Sequence, residues 1–83
     1  MSTLSESIAA IVANVAEIDQ FEVRAGESLK DLGVDSLMGL EIAVHVERTF
    51  DIRFDEDELG QLVTFDDMVN LTQARLDMAR EAS

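Results

Sequence analysis

The chain has 83 residues, no cysteine, no proline and no tryptophan, and a formal net charge of −12. That length holds one domain, residues 1–83, with a small core and no room for a second domain. The missing cysteines exclude disulfide staples, a thiolate zinc site and a cysteine nucleophile, while the charge argues against nucleic acid, whose phosphates attract lysine and arginine.

Acidity of this size serves solubility, and it also favours partners with basic surfaces and fast, salt-sensitive encounters. Disorder is disfavoured because 47% of residues are apolar and recur periodically. The start, Met1-Ser2-Thr3-Leu4-Ser5-Glu6, lacks the basic patch and apolar run of a signal peptide. No apolar stretch approaches the roughly 18 residues a membrane helix needs. A soluble, cytoplasmic chain is expected. Met1 and the polar tail Arg80-Glu81-Ala82-Ser83 fit a discrete protein rather than an excised domain.

In chain order, the first predicted helix runs from about Leu4 to Ala16. Leu4, Ile8, Ile11, Val12 and Val15 fall at helical spacing and form one stripe. Thr3-Leu4-Ser5-Glu6 reads as a capping box. Residues 17–35 carry no clean period and are punctuated by Gly26 and Gly33. A loop this long in a small domain is functional or pinned, and Phe21, Val23, Leu29, Leu32 and Val34 are the candidate pins.

The second predicted helix runs from about Ser36 to Phe50, with Asp35 a good N-cap type. Leu37, Leu40 and Val44 make one apolar line and Ile42, Val46 and Phe50 a neighbouring one. Together they predict a central helix touched on two sides. Gly39 inside it costs ~1 kcal/mol relative to alanine. Tolerance near a helix start explains it most simply; the sharper explanation is that something approaches the backbone beside Ser36. A short helix is expected over the run Asp55-Glu56-Asp57-Glu58-Leu59, capped by Asp55 and ended by Gly60. The last predicted helix spans about Phe65 to Arg80. Thr64-Phe65-Asp66-Asp67 opens it with a capping-box pattern. No segment alternates strictly enough to predict a strand.

Three constellations bear on chemistry. A serine nucleophile needs an adjacent base and an oxyanion hole. The lone histidine, His45, lies nine positions after Ser36, roughly opposite it on the helix and ~13 Å along. Ser36 is therefore no catalytic nucleophile. The acidic run resembles an EF-hand loop weakly, but Leu59 stands where an oxygen ligand is needed and Asp66 where the bidentate glutamate belongs. No dedicated metal site is expected. What remains is Ser36 as a hydroxyl that another enzyme modifies, against the simpler possibility that Ser36 is just the N-cap.

Leu32-Gly33-Val34-Asp35-Ser36-Leu37 resembles the signature around the modified serine of acyl carrier proteins. Leu40-Glu41-Ile42, then Val46-Glu47-Arg48-Thr49-Phe50-Asp51-Ile52, the acid-rich short helix and the Thr64-Phe65-Asp66-Asp67 helix start continue the likeness. It covers about Leu4 to Leu76. The resemblance implies an all-α, right-handed antiparallel four-helix bundle, three long helices and one short. It implies that a phosphopantetheinyl transferase moves 4′-phosphopantetheine from coenzyme A, with magnesium, to the Ser36 hydroxyl. The arm's thiol then carries acyl groups as thioesters between ketosynthases, acyltransferases or ligases, and tailoring enzymes with basic docking patches. Asp35, Leu37, Met38, Glu41, Glu47, Asp55, Glu56, Asp57 and Glu58 are the docking candidates.

Two departures bear on the pathway. Met38-Gly39 follows the Asp-Ser-Leu triplet where fatty-acid-synthesis carriers commonly have an acid, and His45 with Arg48-Thr49 breaks the acidity of the helix. Both point from housekeeping fatty acid synthesis toward a polyketide or related pathway, served by a monomeric, non-enzymatic carrier. A peptidyl or aminoacyl carrier is the nearest alternative, disfavoured by the charge. From a different class, the alternative is an acidic helical interaction module with Ser36 unmodified.

Overall fold

The computed structural model describes residues 3–24 and 26–82. Its long helices are α1 (Thr3–Ala16), α2 (Ser36–Phe50) and α4 (Phe65–Ala82), with the four-residue α3 (Glu56–Leu59) before α4. They form an antiparallel all-helical bundle. Among the described residues there is no strand, only an isolated antiparallel bridge between Ser28 and Thr64.

The core forms where the stripes meet. Ile8 and Val12 from α1, Ile42 and Val46 from α2, and Met68 from α4 are fully buried. Each such side chain contributes roughly 1.5–3 kcal/mol by leaving water. Thr72 is buried among them, and its hydroxyl donates to the Met68 carbonyl oxygen at 2.7 Å, so no polar group is stranded.

Local chemistry sets the helix ends. Asp51 closes α2 in the left-handed conformation, φ 54°, a C-terminal geometry that Asp and Asn tolerate better than most residues. The backbone N–H of Asp55 donates to Glu58 Oε1 at 2.9 Å, which opens α3, and Gly60 caps its end. At α4, Asp67 N–H donates to Thr64 Oγ1 at 3.1 Å while Thr64 N–H donates to Asp67 Oδ2 at 3.0 Å. That reciprocal pair is a capping box with aspartate in the glutamate's place.

Several expectations need correction. The described part of α1 starts at Thr3, and the N-cap position before it, on which the expected Thr3–Glu6 capping box bears, lies outside the described residues. α4 runs to Ala82, beyond Arg80. The long loop is pinned by Val23, Leu29 and Val34, all buried, but Phe21 is 84% exposed. It sits in a 3-10 turn, Gln20–Glu22, unforeseen because three residues are too few to show a period. The Asp19 N–H donates to Glu22 Oε2 at 3.0 Å, and Gln20 Nε2 donates to the Glu6 carbonyl oxygen at 3.3 Å. These bonds orient the turn so that Phe21 points to solvent. Finally, α2 is covered on one side only. Ile42, Ala43 and Val46 are buried, whereas Leu37, Leu40 and Val44 stay 67%, 52% and 42% exposed. α3 has one turn and cannot cover a fifteen-residue neighbour.

Candidate functional site: the start of helix α2

The loop before Ser36 is fastened to the start of α4. Gly26 N–H donates to Asp66 Oδ2 at 3.0 Å. Leu29 N–H donates to the Val63 carbonyl oxygen and Phe65 N–H to that of Glu27, both at 2.9 Å. A tight turn follows, in which Gly33 N–H bonds the Lys30 carbonyl and Val34 N–H the Leu29 carbonyl, each at 3.0 Å. Gly33 has φ +87°, a conformation that glycine adopts without steric cost. The turn drives Val34 into the core and leaves Asp35 and Ser36 outside.

Asp35 is the N-cap. Its backbone is extended, and its Oδ1 accepts from Met38 N–H at 2.8 Å. Gly39 N–H donates to the Asp35 carbonyl oxygen at 2.8 Å as the first helical bond. Because aspartate does the capping, Ser36 is released from it. Ser36 is the first residue of α2, exposed, and its hydroxyl has no partner among the described residues. This removes the alternative in which Ser36 itself caps the helix. α2 is unbroken to Phe50, so His45 stays two and a half turns away on another face.

Ser36 opens onto a cleft of about 870 Å³ between the α2 start, the loop before it and the segment after α3. Its walls include Leu29, Leu40, Leu62, Val63 and Met68, and Lys30 stands at its rim. A phosphodiester on Ser36 would meet the electropositive end of a fifteen-residue helix. A reachable hydroxyl, a positive helix end and an apolar cleft together fit a phosphopantetheine arm.

The docking candidates separate by their contacts. Leu37, Glu41, Glu56 and Asp57 are exposed. Asp35 is exposed but its carboxylate is engaged in capping. Met38 is half-buried and packs against the core. Glu47 Oε2 accepts from Phe54 N–H at 2.9 Å, which holds the chain after α2. Arg75, absent from the sequence reading, bridges α4 to the short helix. Its guanidinium donates to Asp55 Oδ2 at 3.1 Å and to Glu58 Oε1. The Asp55 N–H bond and this guanidinium hold the Glu58 carboxyl below its ordinary range, and Glu58 in turn raises Arg75. Asp67 is lowered by the Thr64 and Val63 N–H groups that it accepts from. Sequence periodicity gave no sign of the Arg75 bridge, because its partners lie 20 and 17 residues apart in the chain.

The fold is similar to that of an acyl carrier protein from Thermotoga maritima, with a TM-score of 0.71 over 93% of this chain and 95% of that one, at 16% identity. The phosphopantetheine attachment site family matches residues 6–72. The chain belongs to that family: it is an acyl carrier, and its cofactor is covalent 4′-phosphopantetheine. Among curated proteins it is 35% identical over 69 residues to the non-reducing polyketide synthase epaA of Aspergillus niger, 83% of this chain and 3% of that protein. It is 37% identical over 60 residues to the non-reducing polyketide synthase dbaI of Emericella nidulans, 72% of this chain and 2% of that protein. The chain thus spans only a few per cent of the length of these relatives.

Proposed function

We propose that residues 1–83 act as a single carrier domain, without catalysis of their own, that holds polyketide intermediates as thioesters on an arm attached to Ser36. The carrying observation is the exposed, unpartnered Ser36 hydroxyl at the start of α2, inside the stretch that the attachment-site family matches. The chain has no cysteine, so the thiol that bears the acyl group belongs to the arm. Tethering keeps that thioester at high effective concentration near each active site within reach.

The likeness to polyketide synthases supports the pathway. Partners are a phosphopantetheinyl transferase and synthase domains with basic docking patches. Exposed Leu37 supplies apolar contact beside the arm, and Asp35, Glu41, Asp55, Glu56 and Asp57 supply charge. Met38, Glu47 and Glu58 act mainly by holding that face in shape. No helix among the described residues is long and apolar enough to cross a membrane, in keeping with work in the cytoplasm.

The test is incubation with coenzyme A, magnesium and a promiscuous phosphopantetheinyl transferase, followed by intact-mass measurement. The wild-type chain gains one arm and Ser36→Ala gains none. An unmodified wild type, or equal gain by both, overturns the assignment.

A further inference from the structure

We propose that the side chain of Lys30 is an electrostatic clamp for the phosphodiester of the arm, holding its base against the cleft beside Ser36. The proposal rests on Ser36 being the attachment point. Lys30 is the sole lysine of the chain. Among the described residues it is also the sole cationic side chain lining the Ser36 cleft. It is exposed and, among the described residues, makes no ion pair or side-chain hydrogen bond, although Asp31 and Asp35 are near it in sequence. Asp35 is occupied by the Met38 N–H, and the Gly33 turn bonded to the Lys30 carbonyl oxygen fixes where the lysine stem leaves the backbone.

The electrostatics call for such a group. Attaching the arm adds a further negative charge to a chain already at −12, directly beside the Asp35 carboxylate. The α2 N-terminus offsets part of that repulsion within its first turn. A mobile ammonium at the rim of the same cleft offsets more, and its four-carbon stem adapts to the phosphate as a point charge without the fixed fork of an arginine. The clamp restrains the base of the arm and leaves the thiol end free, which biases where the thioester begins its search.

A sole lysine makes the test direct. Holo chain and the unloadable Ser36→Ala chain are acetylated with an N-hydroxysuccinimide ester, and the rate at Lys30 is read by peptide mass spectrometry, apart from the α-amine. Lys30 in the holo chain is expected to react about two- to five-fold more slowly, the occupancy factor of an exposed ion pair. The protection should vanish at about 1 M salt, where charges are screened beyond ~3 Å. The phosphorus-31 shift of the holo phosphodiester should move with salt in wild type and in Lys30→Arg, and move distinctly less in Lys30→Gln, where only the helix end and Asp35 remain to be screened. Equal Lys30 rates in both chains overturn the clamp. Salt-insensitive protection overturns it too, because that marks steric cover by the arm. Failure to load wild type at all instead overturns the Ser36 assignment, so the two failures are distinct.

Discussion

Gly33 and Gly39 bracket Ser36 at equal sequence distance, and the structure treats them differently. Gly33 carries φ +87°, where a side chain costs roughly 1–2 kcal/mol. A domain of this size has only about 4–12 kcal/mol in total, so Gly33→Ala removes a large share of it. It also unsettles the turn that sends Val34 inward and Asp35-Ser36 outward. Gly39 sits within α2, and a Cβ there would meet only Val34 Cγ1 at 4.0 Å. Neither space nor backbone requires glycine at that position. Gly39→Ala is therefore expected to raise stability by ~1 kcal/mol through helix propensity and to load its arm at the wild-type rate. Urea unfolding and a transferase time course check the pair. A stabilised Gly39→Ala that loads slowly would show that the transferase needs the bare backbone beside Ser36.

At the scale of elements, the caps carry the pH response. Asp67 accepts from two backbone N–H groups at the α4 start, Val63 and Thr64, both at 3.0 Å, and its carboxyl is lowered. A carboxyl lowered in the folded state contributes stability that is complete above its unfolded pKa, near 4. That contribution fades as pH falls through the lower folded value. Asp67→Asn should lower stability at pH 7 by a fraction of the ~1 kcal/mol typical of losing a cap, and by much less at pH 2. The quantity to measure is the difference in urea stability between the two chains, since both share the relief of repulsion that acid brings to a chain of −12. A difference unchanged between pH 7 and pH 2 would remove the carboxylate from the cap.

The same elements show what was legible beforehand. α2 was readable to the residue because Asp35 announces its start and apolar residues recur to Phe50. The capping box at Thr64–Asp67 and the cap residue Asp55 were readable because their bonds are local, spanning three residues, while the return bond to Glu58 was not foreseen. Which apolar line of α2 is covered was not readable. That depends on α3 being one turn long and on where α1 and α4 lie, a long-range property with no local signature. Phe21 is a similar case: apolar residues in loops usually serve as anchors, and only the hydrogen-bonded turn around it decides that this one faces out. Ser36 stood out as the candidate attachment point through the motif, but its release from capping became evident only with the Asp35 carboxylate in place.

For the molecule as a whole, the proposed docking divides between charge and exposed apolar surface. Eighteen acids against six bases give a negative field that would guide the proposed basic partner in from a distance, and such steering acts on the association rate. The exposed line Leu37, Leu40 and Val44 acts only once surfaces touch, so it governs residence time. Raising salt from about 0.1 M to about 1 M shortens the screening length from ~10 Å to ~3 Å. Over that range, stopped-flow association with a phosphopantetheinyl transferase should slow by about tenfold or more, with dissociation little changed. Glu41→Lys should lower the association rate and flatten its salt dependence. Leu40→Ala should leave association intact and speed dissociation, because Leu40 is half out of the fold and its loss barely touches the core. If both substitutions acted on the same rate constant, long-range charge and short-range contact would not be separable on this face, and the division of labour would fall.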